Sequence, residues 1–298
     1  MTDAAQRILD GDLRALARAA TWIENRHREA EPLLRELFPH TGRALILGVT
    51  GPPGAGKSTL CDQLIRLIRR EGKSVGVLAI DPSSPYSGGA VLGDRIRMQE
   101  HHADPGVFIR SMATRGWLGG LARATTEMTM LLDAAGRDVV LVETVGVGQD
   151  EIEIARLAHV TLVVLTPGAG DDVQTLKAGF MEIAQVFVIN KSDLPGADQL
   201  QREIQAAMGL AHGPEVEIVQ TIALEGTGVA DVLAAARRAE PLGRDPERSA
   251  QIWAARLREM LRDRLLDRFS PEEFVTAGRE VASHQRDPYS ILNDWLKP

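Results

Sequence analysis

Apolar residues along this chain follow two rhythms. Through the middle they come as short unbroken runs, and toward both ends they recur every three or four positions. The runs predict strands at 44–50, 74–80, 107–111, 138–143, 161–166, 186–190 and 216–222, separated by helical or loop segments. Such alternation implies an α/β fold with a mostly parallel sheet covered on both faces, since each crossover carries a helix. Before the first run, Leu13, Leu16, Ala17, Ala20 and Ile23 keep helical spacing behind Asp12, a plausible N-cap. Pro32 can open a second short helix carrying Leu33, Leu34, Leu37 and Phe38, which Pro39 stops. These helices bury their apolar stripe most simply on the flank of the central domain.

Residues 237–250, from Arg237-Arg238 through Pro241, Gly243 and Pro246, read as a linker. Beyond them Trp253, Leu257, Met260, Leu261, Leu265 and Phe269 form one stripe, with arginines on the other faces. Ser270-Pro271-Glu272-Glu273 is a capping box with proline at the first helical position. Asp287-Pro288 starts a last helix carrying Ile291, Leu292, Trp295 and Leu296. So short a tail cannot bury these faces by itself. It either docks on the central domain or pairs with a second chain, and a homodimer is the favoured reading. The expected organisation is a helical extension over 1–42, a central α/β domain over 43–240 and a helical arm over 241–298.

Composition narrows the class. Of 298 residues 44% are hydrophobic, enough for a sizeable core. The formal net charge of −7 argues against non-specific nucleic-acid binding, which depends on neutralising phosphates. A single cysteine, Cys61, excludes an internal disulfide, fits a reducing compartment and reads as a small core residue. No basic stretch leads into an apolar one at the N-terminus, and no apolar run approaches ~18 residues. The expectation is a cytoplasmic protein with no membrane span.

The chemistry begins where the first strand ends. Gly51, Pro52, Pro53, Gly54, Ala55, Gly56, Lys57, Ser58 and Thr59 match the phosphate-loop spacing G-x-x-x-x-G-K-[ST] between a strand and a helix. Glycines let backbone N–H groups curl around a phosphate, and the helix N-terminus adds its positive dipole end. Lys57 can reach the β- and γ-phosphates, and the Ser58 hydroxyl can ligate Mg²⁺. The fourth strand ends in Glu143, the Walker B position, which holds Mg²⁺ through carboxylate or water. Gly146 follows three residues later and can offer its N–H to a γ-phosphate, releasing the loop on hydrolysis. Asp81 and Asp94 bound a Pro- and Gly-rich loop after the second strand and are read as direct or water-mediated Mg²⁺ contacts rather than a turn residue and a solvated charge. His101 and His102 are read as exposed. After the fifth strand, Asp171 and Asp172 belong to an acidic loop opening a helix, where either could be only an N-cap.

Asn190-Lys191-Ser192-Asp193, after the sixth strand, assigns the base. In N-K-x-D the carboxylate accepts hydrogen bonds from guanine's ring N–H and exocyclic amine. Adenine lacks that amine and presents an acceptor instead of the ring donor. The nucleotide is therefore expected to be GTP. After the seventh strand Ile222, Ala223 and Leu224 stand where GTPases often place Ser-Ala against the guanine oxygen, and a backbone contact survives the change to isoleucine. Ras-like GTPases put a water-orienting glutamine just after the second switch glycine. Here that place is Val147, so slow intrinsic hydrolysis, raised by a partner, is expected.

Several stretches together resemble the MeaB/ArgK family, GTPase chaperones of adenosylcobalamin-dependent acyl-CoA mutases related to the human methylmalonic aciduria type A protein. They include 11–19, 51–59, Asp81-Pro82-Ser83-Ser84, 93–98, 143–149, Pro167-Gly168-Ala169-Gly170-Asp171, 190–193 and Asp287-Pro288-Tyr289-Ser290. The resemblance implies a P-loop NTPase fold of the SIMIBI class, flanked by N-terminal helices and a C-terminal dimerisation arm. It implies that Asp81, Asp94 and Glu143 act near Mg²⁺ with Ser58, and that a third switch over 166–177 senses the mutase, with Lys177 supporting hydrolysis. The implied activity is GTP hydrolysis that gates adenosylcobalamin loading and protects or reactivates the mutase, with cobalamin reached only through that partner. Departures from the family are Ile222 in place of Ser, and Pro85-Tyr86-Ser87 in the first switch. A kinase acting on a transport binding protein and a nickel-insertion GTPase are the competing readings. The first has no use for a guanine reader, and the second needs Cys/His stretches that one cysteine and seven histidines do not supply.

Overall fold

The computed structural model describes residues 1–81, 99–101, 103–113, 120–144, 157–168, 180–210 and 216–297. Each predicted run becomes a strand: β1 Leu45–Thr50, β2 Val75–Asp81, β3 Val107–Ala113, β4 Val139–Thr144, β5 Val160–Leu165, β6 Val186–Asn190 and β7 Glu217–Thr221. They form one sheet in the order β3-β2-β4-β1-β5-β6-β7, and every pairing is parallel. The central strands are apolar on both faces because both are covered. β4 and β5 are buried at every position.

On one face α4 (Lys57–Arg70) and α7 (Val229–Gly243) lay Leu60, Leu64, Ile68, Val232 and Ala236 against Leu47, Val49, Leu141, Leu162 and Val188. The N-terminal helices α1 (Asp3–Leu9), α2 (Leu13–Glu24) and α3 (Ala30–Leu37) share the opposite face with α5 (Gly120–Ala134). There Leu16, Ile23, Leu33 and Leu37 join Leu131 and Leu132 over Leu78, Ile80, Val140 and Val142. Farther along, α6 (Ala197–Leu210) adds Leu200 and Ile204 over Phe187 and Ile189. Asp12 caps α2 by accepting from the N–H groups of Arg14 at 2.8 Å and Ala15 at 3.1 Å. The entry into β1 is fixed by Asp133, a buried carboxylate accepting from Gly42, Arg43 and Ala44 at 2.5, 3.1 and 2.9 Å.

The stretch read as a linker is mostly helix. α7 runs through Pro241 to Gly243, and α8 (Pro246–Leu266) begins three residues later. Proline and glycine do not stop α7 early because its apolar face is already buried and its end is held. A Cβ on Gly243 would lie 1.8 Å from the His159 carbonyl oxygen, and Arg244 donates to Gly42 O at 3.0 Å and Ala44 O at 2.7 Å.

The chain divides into two compact units, Met1–Ser249 and Ala250–Pro298. The second unit holds most of α8, then α9 (Pro271–Ala282) and α10 (Pro288–Trp295). Its capping box forms: Glu273 N–H donates to Ser270 Oγ at 3.3 Å and Ser270 N–H to Glu273 Oε2 at 2.6 Å. Phe269 and Phe274 meet Trp295 at ring-centre separations of 4.7 and 4.9 Å, stacked and edge-on respectively, and Ile291 is buried. Trp253, Leu257 and Leu261 on α8 stay exposed. Among the described residues no helix is long and apolar enough to cross a membrane.

Candidate functional site

β1 lies between β4 and β5, where the strand order changes direction, so its carboxyl end opens on the crevice where such sheets bind ligands. Gly51 leaves β1 with φ of 138°, and a Cβ there would lie 2.0 Å from the Val164 carbonyl oxygen. Only glycine turns the chain so close to β5. The loop then swings over to Gly56, whose left-handed backbone (φ 89°) caps α4, with Leu60 N–H donating to Gly56 O at 3.0 Å. Cys61 is buried against the sheet, as its place in the sequence suggests.

Lys57 is buried, and its ammonium folds back onto its own loop, donating to Gly51 O at 2.8 Å and Pro52 O at 3.0 Å. The ammonium thus lies within the curl of the loop, where an incoming phosphate would offer it a charged acceptor instead of neutral carbonyls. Register pairs Val49 with Glu143 across β1 and β4. Ser58 Oγ donates to Glu143 Oε1 at 2.6 Å, and Glu143 is only 4% exposed. Next to it Thr144 and Thr50 join hydroxyls at 3.0 Å, locking the two strand ends together. A hydroxyl and a carboxylate in contact, both hard oxygen donors, form a set that suits Mg²⁺.

At the end of β6 Asn190 is 3% exposed and fully engaged. Its Nδ2 donates to Ala55 O at 2.8 Å, and its Oδ1 accepts from Thr221 Oγ1 at 3.1 Å and Ala223 N–H at 3.0 Å. Lys191 takes a left-handed backbone (φ 57°) and sends its ammonium to Gly54 O at 2.9 Å. Asp193 is left exposed at the rim. The turn after β7 is closed by Ile222 N–H donating to Thr227 O at 3.1 Å, with Ala223 buried and Leu224 83% exposed. One cluster therefore gathers 51–59, Asn190, Lys191 and Ala223, and Ser58 links it to Glu143.

Asp81 is the last residue of β2, two positions past the pairing of Ala79 with Glu143, so its backbone emerges at the same sheet edge. Asp94, Gly146, Val147, Asp171, Asp172 and Lys177 lie outside the described residues, as does His102. His101 corrects its reading as exposed: it is buried and its Nε2 meets Asp62 Oδ1 on α4 at 2.7 Å. Arg66 also bonds Asp62, at 3.0 Å, and pairs with Glu100, so the segment re-entering at 99–101 is tied to the helix that follows the phosphate loop. No local spacing marks that contact, because Asp62 and His101 are 39 positions apart. The bonds from Asn190 and Lys191 to the loop carbonyls were likewise not legible, although the residues themselves were.

Comparison with known proteins adds to this geometry. The family described as Methylmalonyl Co-A mutase-associated GTPase MeaB matches residues 16–273. A relative from Pyrococcus abyssi is 46% identical over 306 residues, covering 98% of this chain and 94% of its own length. The mouse protein named Methylmalonic aciduria type A homolog, mitochondrial, is 34% identical over 261 residues, covering 78% of this chain and 63% of its own. A solved structure described as a LAO/AO transport system kinase superposes with a TM-score of 0.72 at 31% identity, covering 98% of this chain and 95% of its own.

Proposed function

Because the chain belongs to the methylmalonyl Co-A mutase-associated GTPase family MeaB, we propose that it is a Mg²⁺-dependent GTP switch serving an adenosylcobalamin-dependent acyl-CoA mutase. In this reading it gates loading of the mutase's cofactor and protects or reactivates the mutase, while cobalamin itself reaches this chain only through its partner. The observation that carries the nucleotide half is the cluster around Asn190, which joins the phosphate loop at Ala55 to the guanine side of the site at Ala223. The mutase half comes from family membership and from the name of the mouse relative.

Each residue has a role in this proposal. The loop N–H groups and Lys57 hold the β- and γ-phosphates. Asp193 reads guanine, Lys191 covers it, and the Ile222–Leu224 backbone meets its oxygen. Ser58, Glu143, Asp81 and Asp94 would hold Mg²⁺, which when bound neutralises charge on the phosphates. Gly146 and Lys177 are assigned to the γ-phosphate switch and to hydrolysis. The exposed apolar positions of α8 support a homodimer through the arm over 241–298. The extension over 1–42 is a packing layer in this scheme.

Co-purification of the chain with candidate methylmalonyl-, isobutyryl- and 2-hydroxyisobutyryl-CoA mutases, with a non-hydrolysable GTP analogue and with GDP, tests the reading. Nucleotide-dependent retention of one mutase, together with faster phosphate release in its presence, is the expected result. A chain that binds none of them in either state, or that already hydrolyses GTP alone at its stimulated rate, would refute it.

The kinase described for the superposing structure supplies a second reading, phosphorylation of a transport binding protein. The Asn190–Asp193 stretch speaks against it, since phosphoryl transfer to protein needs an acceptor cleft and no guanine reader. Phosphate released to water, with no labelled protein formed, excludes the kinase.

A further inference from the structure

The opposite edge of the sheet holds a cavity of about 490 Å³ where β1 and β4 begin. Its volume is in the range of small-molecule sites and exceeds that of a bare inorganic anion. Four cations line it, Arg43, Lys73, Arg137 and Arg237, against two carboxylates, Asp138 and Glu240. The chain as a whole carries a net charge of −7, so this local excess of positive charge does not follow from composition.

The two acids are already committed. Asp138 Oδ2 accepts from Ser74 N–H and Ser74 Oγ, both at 2.7 Å, and Glu240 pairs with Arg244 at 2.7 Å. Arg237 is committed as well, its Nη1 donating to Glu71 at 3.0 Å. Arg43, Lys73 and Arg137 form no salt bridge among the described residues. Arg43 and Lys73 are exposed, whereas Arg137 is only 7% exposed. Its Nη1 reaches Pro105 O at 3.3 Å, and its Nε is buried with no acceptor among the described residues. Burial, and next the charge of nearby Arg69, hold its pKa below the ordinary guanidinium value, with Asp138 and Asp104 partly offsetting them.

A buried guanidinium lacking a carboxylate is costly, and an acceptor with two oxygens relieves it best. Lys73 and Arg137 each sit three residues beyond a helix, α4 and α5, and a helix C-terminus favours one cation. That effect explains a cation at each helix end. It does not explain a cavity lined by four. Leu45 and Val139, both buried, supply an apolar wall for the body of a ligand.

We propose that this cavity binds a phosphate-bearing small molecule, with its dianionic group held by Arg137, Lys73 and Arg43. The site is separate from the phosphate loop, which lies beyond the other ends of the same strands, and it does not depend on the mutase reading.

The test is calorimetric titration of the full chain, with the phosphate loop saturated by GDP and Mg²⁺, using inorganic phosphate, ribose 5-phosphate and ribose. Binding of ribose 5-phosphate or of phosphate, with ribose inert, is expected. Preference between the two phosphates tells an ester from the free ion. Arg43→Gln and Lys73→Gln should each weaken binding roughly tenfold while GDP affinity stays unchanged. Arg137→Gln should weaken it further, and if that variant does not fold, the two exposed substitutions carry the test. No binding by about 10 mM, or binding that Arg43→Gln and Lys73→Gln leave intact, would overturn the proposal.

Discussion

A Cβ placed on Gly56 would lie 2.3 Å from Asn190 Nδ2, so the phosphate loop and the end of β6 touch with no room for a single methyl group. The two residues come from opposite ends of the nucleotide site, and Asn190 bonds the loop at the neighbouring Ala55 O. In the proposed site the phosphate-binding and base-reading ends are thus mechanically one object.

Two substitutions at this contact should behave differently. Gly56→Ala must displace Asn190 and also strain a backbone at φ 89°, so GDP affinity should fall by at least roughly 100-fold. Asn190→Ala leaves Ala55 O, Thr221 Oγ1 and Ala223 N–H buried with one partner fewer, which should cost roughly 2–4 kcal/mol of stability. Denaturant titration alongside nucleotide binding distinguishes the two. A Gly56→Ala chain that binds GDP normally would show that the loop has slack.

Glu143→Gln keeps an acceptor for Ser58 Oγ but removes the charge from a buried position 2.6 Å away. Folding should be little affected, while the Mg²⁺ concentration needed for half-maximal hydrolysis should rise roughly 10- to 100-fold. Titrating GTP hydrolysis with Mg²⁺ checks this. An unchanged Mg²⁺ requirement would remove Glu143 from the metal site.

How much of this was legible in the sequence depends on the range of the interaction. Strands such as 186–190 and the loop 51–59 are local patterns, and the structure forms them within a residue or two of the expected bounds. Pro241 and Gly243 misled because their breaking tendency is local, while what holds α7 is distant: the His159 carbonyl against Gly243 and three carbonyls of 42–44 that accept from Arg244. His101 misled for the same reason, since its partner Asp62 belongs to another element. Of the candidate site, the residue types were legible. The bonds joining Asn190 and Lys191 to the loop were not, because they cross 135 and 137 positions of chain.

His159 should make stability depend on pH. Its Nδ1 accepts from Ile46 N–H at 3.1 Å, which requires the neutral ring, and burial, then the Arg244 charge, lowers its pKa to about 4. The unfolded chain, near the ordinary value of about 6.5, takes up the proton first as pH falls. The contribution is therefore complete above about pH 6.5, lost progressively between there and about 4, and constant below, on the order of 2 kcal/mol once partial exposure is discounted. Denaturant unfolding of wild type and His159→Asn across this window isolates the effect from that of the carboxylates. If both chains lose stability in parallel, His159 is not the source.

Asp193 gives the most selective test of the base. Its side chain is exposed at the rim, so replacing it leaves the folded core alone. A carboxylate there accepts from the two donors on guanine's edge, and asparagine presents one donor and one acceptor instead. Xanthine carries an oxygen where guanine carries its exocyclic amine, which suits the amide donor. Asp193→Asn should therefore weaken GTP by roughly 100-fold or more, since a donor is left facing a donor, and gain relatively for xanthosine triphosphate. Competition of both nucleotides against a fluorescent GDP measures the exchange directly. Retention of the original GTP preference would mean that Asp193 does not read the base, and the Asn190 hub would then serve the phosphate loop alone.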